Sequence, residues 1–269
     1  MTLNTCRYRV EAGASLQLDT IPSRDDGGVD KEDGKKRFYE LRRRLATLQE
    51  LMYAQGRHAL LVVFQAMDAG GKDSTIRNVF GPVNPQGCRV ASFKAPTDLE
   101  REHDFLWRIH AAAPRRGVIG VFNRSHYEDV LIARVKGLVG EPRWRRRFDH
   151  INAFEKLLAD EGTTIVKFFL HISKDYQKQR LQRRLDRPDK HWKFNPADLA
   201  ERARWDAYRQ ALDEAIGRCS TAHAPWYIVP AERRWFRNLL VSQVLVETLE
   251  SLEMRYPEPT FDPADIVIE

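Results

Sequence analysis

The stretch Ala59–Thr75, ALLVVFQAMDAGGKDST, runs from a short apolar segment through two glycines and a lysine into STIRNVF (74–80). A short apolar run bounded by glycine, followed by a helical pattern, reads as a buried strand entering a phosphate-binding loop. The usual spelling is G-x-x-x-x-G-K-[ST], but here Ala66 replaces the first glycine and Asp73 follows Lys72. Gly70 and Gly71 let backbone amides turn inward, and Lys72 supplies a mobile cation at the positive end of the next helix. A plain glycine turn with a solvated lysine would not need a strand before it and a helix after it. The context therefore marks Ala69, Gly70, Gly71, Lys72, Asp73 and Ser74 as a phosphate cradle. Asp73 can serve as a first-turn carboxylate favoured by the helix dipole, with Ser74 or Thr75 nearer the phosphates. Asp68 lies inside the loop, where a carboxylate repels phosphate unless it faces a cation or holds Mg²⁺, so it is a candidate metal and catalytic residue.

Outward from this loop the pattern repeats. Apolar runs recur at 88–93, 117–122, 164–172 and 225–230, separated by helical stretches, which predicts an α/β fold with a five-stranded parallel sheet flanked by helices. Phe38, Leu41, Leu45, Leu48 and Met52 are three and four apart and predict a helix before the first strand, and a long helix is expected over about 233–253. Residues 1 to about 30, which include SRDDGGVDKEDG, read as a flexible segment outside the core, leaving 31–269 as the domain.

The carboxyl ends of parallel strands form the ligand crevice, so NRSHYEDVLIARV (123–135) after the third strand should face the loop. Arg124 is placed to neutralise a transferring phosphoryl group, and Glu128 and Asp129 are placed to reach a metal. Arg134, read alone, is a helix-surface charge. Between the fourth and fifth strands lies SKDYQKQRLQRRLDRPDKHWKFNPADL (173–199). Arg180 and Arg184 share one helix face there, with Arg183 and Arg187 in a neighbouring row. Trp192 and Trp226 can stack on a base, although core or hinge packing is the commoner use.

Composition narrows the partners. Lysine and arginine total 44 against 38 acidic residues, a formal charge of +6 with pI near 9.3, which favours a polyanionic ligand. No helix-turn-helix, zinc-finger or aromatic RNA-binding signature accompanies that charge, which argues against nucleic acid. Three widely spaced cysteines, no apolar signal core and no membrane-length apolar run point to a soluble cytoplasmic protein that needs no membrane. The oligomeric state is open, and a homo-oligomer is compatible with the sequence.

MDAGGKD, FKAPT (93–97), HDFLWRIH (103–110), FNRSHYEDVL (122–131), RPDKHWKF (187–194) and APWYIVPAERRWFRN (224–238) together resemble the polyphosphate kinase 2 family. They follow the family order over nearly the whole chain from about Lys35. The resemblance implies a thymidylate-kinase-like P-loop fold, in which inorganic polyphosphate and a nucleotide exchange a terminal phosphoryl group with Mg²⁺. SHYEDVL is similar to the subclass that accepts both AMP and ADP, and Ala66 and Asp73 are ordinary family spellings. It further implies that residues 174–200 form a lid, with Arg180, Arg184 and Arg134 among the phosphate- or nucleotide-binding groups. Many members carry Asp where this chain has Asn123, which shifts the expected metal-holding work toward Glu128. An ATP-dependent nucleoside monophosphate kinase of the same fold is the alternative, and a nucleic-acid binder without enzymatic activity a more distant one.

Overall fold

Five parallel strands form one sheet in the order β2-β3-β1-β4-β5. They are β1 (Ala59–Ala66), β2 (Cys88–Ser92), β3 (Ile119–Asn123), β4 (Thr163–His171) and β5 (Trp226–Pro230). The computed structural model describes residues 3–268. Helices cover both faces, so β1 and β4 are buried on both sides, and β1 is spelled almost wholly in apolar residues. Phe64 of β1 stacks on Phe168 of β4 with ring centroids 5.3 Å apart and meets Phe80 edge-on at 6.4 Å. From β1 the chain fills one side of the sheet with β2 and β3, then crosses to the other with β4. That reversal leaves a crevice above the carboxyl end of β1, and this is the P-loop kinase architecture that the sequence predicts.

The helices are α1 (Lys31–Gln55), α2 (Lys72–Phe80), α3 (Asp98–Glu102), α4 (Trp107–Ala112), α5 (Ile132–Val135), α6 (Glu141–Asp160), α7 (Lys174–Leu185), α8 (Ala197–Ala203), α9 (Trp205–Cys219) and α10 (Arg234–Glu250). Asp30 caps α1 by accepting from the amides of Glu32 and Asp33, and Gly56 stops it in the left-handed conformation. Its buried Phe38, Leu45, Leu48 and Met52 form the predicted face, and Leu41 is part-buried beside them. Gly34 lets α1 approach α10 closely, since a Cβ there would lie 2.4 Å from the Trp235 ring. The last helix stops three residues short of its expected end.

The expectation of a flexible segment over residues 1–30 needs correction for the part described. Leu3, Tyr8, Val10 and Leu18 are buried. Arg9 bridges antiparallel to Tyr227, and the Val10 amide donates to the Trp226 carbonyl at 2.9 Å, so the segment covers the open edge of β5. Farther on, the Leu18 amide donates to Asp213 at 2.8 Å and Arg209 pairs with Asp19 at 2.6 Å. A few apolar anchors and long-range polar contacts suffice to hold a glycine- and charge-rich sequence in place.

One buried network underlies the site. Lys167, in the middle of β4, is fully buried, and so is Glu155 of α6. The Lys167 ammonium donates to Glu155, to Tyr127 Oη at 2.8 Å and to the Cys219 carbonyl at 2.6 Å, which uses all three of its protons. Glu155 also accepts from Tyr127 Oη at 2.9 Å and lies 3.1 Å from His126 Nε2. Burial alone would raise the Glu155 carboxyl, but Lys167 and His126 more than offset it and hold it below the usual range. His126 and Tyr127 thus fix, from beneath, the turn that carries Glu128.

Candidate active site

The loop after β1 takes the shape that its glycines permit. Gly71, at φ +96°, caps α2, and a Cβ on it would fall 2.3 Å from Arg237 Nη1. Arg237 is buried behind the loop and donates to Ser74 Oγ at 3.1 Å, tying α10 to the first turn of α2. Burial and the nearby Arg234 and Arg180 lower its pKa to about 10. The Lys72 ammonium rests on the Ala66 carbonyl at 3.2 Å. Burial and the neighbouring Arg124 push its pKa down, against Asp68, Glu128 and Asp73, which pull it up. An ammonium so placed gains from any anion that enters the loop.

β1, β3 and β2 end side by side, with Asn123 level with both Phe64 and Ser92. Asn123 Nδ2 donates to Asp73 Oδ1 at 2.7 Å, so the two unusual spellings answer each other. The next residue, Arg124, has φ +62°, and its guanidinium pairs with Asp68 at 3.2 Å. Burial lowers the Arg124 pKa, but Glu128 and Asp68 outweigh it and leave the guanidinium firmly charged. Ser125 then caps a 3₁₀ turn, His126–Asp129. Within that turn the two acids part company. Glu128 is close enough to act on the charges of both Lys72 and Arg124, whereas Asp129 turns to Arg147 at 3.2 Å and Arg108 at 4.0 Å.

Asp68 to Ser74 of the loop, Asn123 and Arg124 line a crevice of about 670 Å³ that continues under the segment between β4 and β5; Glu128 is not part of its lining. Its walls carry eleven lysine and arginine side chains against three aspartates, Asp68, Asp73 and Asp198. Arg180, Arg183 and Arg184 of α7 all face it, as does Arg187 just beyond that helix, so both arginine rows contribute. Arg180 has its pKa lowered by burial and by Arg234, Arg183 and Arg184 around it, a crowding of like charge that an anion relieves. Arg184 already donates to the Lys193 carbonyl at 3.1 Å and lies 3.5 Å from Asp198. The arm beyond α7, a 3₁₀ turn over Pro188–Lys193 and then α8, has no buried residue.

Other sequence candidates lie elsewhere. Arg134 pairs with Glu214 at 2.6 Å and covers the Trp144 ring at 4.3 Å, away from the crevice, because α5 turns its last residues toward α6 and α9. Trp226 is core, packed edge-on against Tyr127, while Trp192 stands exposed on the arm with Lys193 over its ring. The crevice also uses residues to which the sequence reading gave no role: Arg77 of α2, Lys94 after β2 and Arg234 of α10. The run ERRWFRN before and into α10 held the signal for Arg234 and Arg237: with Arg233 they make three basic residues around Trp235 and Phe236.

A sequence model described as Polyphosphate kinase 2 (PPK2) matches residues 28–257. An AMP/ADP-polyphosphate phosphotransferase of Meiothermus ruber is 55% identical over 267 residues, covering 98% of this chain and 99% of that protein. An ADP-polyphosphate phosphotransferase of Rhodopseudomonas palustris is 46% identical over 276 residues, covering 97% and 94%. The crystal structure of Polyphosphate Kinase 2 from Arthrobacter aurescens TC1 superposes with a TM-score of 0.93 at 45% identity, covering 96% of this chain and 93% of that one. The match runs through loop, strand end, basic arm and sheet alike, and the chain belongs to the polyphosphate kinase 2 family.

Proposed function

We propose that this chain transfers phosphoryl groups reversibly between inorganic polyphosphate and AMP or ADP, with Mg²⁺, as a cytoplasmic enzyme. The observation that carries this reading is the excess of cationic side chains along the crevice, eleven against three acids. One nucleotide offers phosphates for the loop but not for a basic wall that continues along α7 and the arm; a phosphate polymer occupies both. The names of the two relatives, one with AMP and ADP and one with ADP alone, support both acceptors as candidates.

The acceptor phosphate is largely ionised near neutrality, its second pKa being about 6, so no strong general base is required. Catalysis then rests on positioning and on charge neutralisation. Lys72 and the amides of the loop hold the phosphate nearest β1, and Arg124 faces the group in transit. Arg180 and its neighbours hold the rest of the donor and exclude water when the arm closes. Among the described residues, no three His, Cys, Asp or Glu side chains gather into a ready-made metal cage. Mg²⁺ fits this arrangement, because it is commonly held by one or two carboxylates together with phosphates and water. Asp68 and Glu128 would hold it, and it would supply further neutralisation of the phosphate oxygens.

The test is a matrix of AMP, ADP, GMP and GDP with polyphosphate or ATP as donor, with Mg²⁺, analysed for di- and triphosphates. Formation of ADP and ATP from polyphosphate supports the proposal, and turnover only with ATP would make the chain an ATP-dependent monophosphate kinase.

Four variants examine the parts. Arg180→Ala should raise KM for polyphosphate on the order of 10-fold, the size of a lost charge-assisted hydrogen bond. KM for ADP should change far less, and added salt should mimic the defect. Arg184→Ala should do less, because Arg184 is already engaged with Lys193 and Asp198. Equal losses for both substrates would contradict a polyphosphate lid. Glu128→Gln should require more Mg²⁺ for half-maximal rate. Asn123→Asp in that background sets a second carboxylate against Asp73, a pair that a cation relieves, and should lower the requirement again. An unchanged magnesium curve for Glu128→Gln removes Glu128 from the metal set.

A further inference from the structure

Gln177 of α7 is buried, and its amide looks two ways. Oε1 accepts from Arg202 Nη1 of α8 at 2.9 Å, while Nε2 donates to the backbone carbonyl of Asp68 at 3.0 Å. A guanidinium can only donate, so Arg202 fixes the orientation of the amide and leaves its nitrogen facing the loop. The same Arg202 Nη1 donates to the Lys174 carbonyl at 2.6 Å, which pins α8 across the start of α7. The outer part of the basic arm and the phosphate loop are thus joined through one side chain.

The joint falls on a strained place. The Asp68 carbonyl belongs to the peptide that leads into Ala69, a non-glycine residue at φ +63°. Arg124, the partner of the Asp68 carboxylate, is left-handed as well, at φ +62°. Backbone in that region persists only where its surroundings hold it, and such positions gather at functional sites. The Asp68–Arg124 pair therefore has strained backbone on both sides, and Gln177 holds the peptide on one of them.

We propose that Gln177 is a positioning residue that couples the basic arm to the phosphate loop. With α8 packed on α7, Arg202 aims the Gln177 amide at the Asp68–Ala69 peptide, and this peptide sets the Asp68 carboxylate toward Arg124 and the phosphates. When the arm swings away and takes Arg202 with it, the amide is free to turn and the peptide loses its restraint. Phosphoryl transfer is then favoured only with the arm in place, where water is excluded. This inference rests on the reading of Asp68 as a residue of the reaction centre.

Gln177→Glu separates the two bonds. The carboxylate pairs more strongly with Arg202 and keeps α7 and α8 together, but it offers no proton to the Asp68 carbonyl and sets negative charge beside it. We expect melting close to that of the parent protein, kcat about 10-fold lower or more, as small misplacements at a reaction centre cost, and KM for polyphosphate and ADP changed far less. In an Asp68→Asn background the same substitution should have little further effect, because Gln177 acts through Asp68. A Gln177→Glu protein with kcat within about twofold of the parent, or one that slows Asp68→Asn by the same factor as it slows the parent, overturns the proposal. Should Gln177→Glu not fold, Arg202→Leu frees the amide and must also lower kcat; an unchanged kcat there overturns the proposal equally. The magnesium curve of Asp68→Asn, measured with Gln177 intact, tests the metal reading separately.

Discussion

Lys72→Ala is expected to slow phosphoryl transfer by about 10²-fold or more while leaving the melting temperature unchanged or slightly higher. The two halves of this result have different physical origins. The rate falls because the ammonium is the mobile cation of the loop and its interactions strengthen as charge shifts along the phosphates in the transition state. Stability does not fall, because without phosphate the ammonium is desolvated and repelled by Arg124, and its one hydrogen bond goes to the Ala66 carbonyl. The loop keeps its shape by other means: the Gly70 amide on the Met67 carbonyl, the Thr75 amide on the Gly71 carbonyl, and Arg237 on Ser74. Lys72→Arg should recover little, since a planar fork cannot replace a compact ammonium beside a second guanidinium. Steady-state turnover with polyphosphate and a thermal melt check both halves; more than about a tenth of the parent rate contradicts the role, since loss of a central electrostatic group costs far more.

What the sequence made legible is what lies close along the chain. β1, the loop and α2 occupy one contiguous run, 59–80, so the switch from apolar run to glycine turn to helical period can be read directly. The strand-end segment 123–129 was legible for a related reason. Parallel strands put their carboxyl ends on one side, so position in the strand predicts position at the site. The parts that stayed hidden depend on partners far away in sequence. Nothing in the first thirty residues announces that Thr5 meets Glu247 at 2.6 Å or that Leu18 meets Asp213. Nor does the sequence show that Asn123 donates to Asp73, fifty positions earlier. Arg134 shows the converse. Its neighbourhood in sequence includes Asn123 and Arg124 of the crevice wall, but α5 turns it onto Glu214 and Trp144, and no local pattern encodes that turn. Gln177 and Arg237 act on backbone and hydroxyl groups of the loop rather than on substrate, a role that residue type alone does not mark.

Lys167 is the plainest case of a hidden residue, and its replacement should have the largest effect on stability. No residue near it in sequence offers it a partner, yet it is fully buried and satisfied by Glu155, Tyr127 and Cys219. Lys167→Met keeps most of the volume but strands the Glu155 carboxylate without its cation, and breaking a buried pair in this way costs about 3–5 kcal/mol. Adding Glu155→Leu removes the stranded charge and should recover much of the loss, because an apolar pair of similar size is often as stable as a buried ion pair. The effect of pH has a definite sign. In the parent protein the Glu155 carboxyl is held below its ordinary range, so its contribution is present above the unfolded pKa and is lost as pH falls through the folded one. In Lys167→Met the stranded carboxylate takes up a proton more readily than in the unfolded chain, which relieves the variant as pH falls. Between pH 8 and pH 5 it is the second effect that narrows the gap, since the first begins only below the ordinary carboxylate range, so the stability difference from denaturant unfolding should be larger at pH 8 than at pH 5. A gap that stays constant over that range, or widens toward acid, would show that Glu155 is not left charged and that the cost of Lys167→Met comes from packing alone. Because Tyr127 and His126 hang on the same carboxylate, the folded fraction of Lys167→Met should also need more Mg²⁺, as the turn that aims Glu128 loses its support.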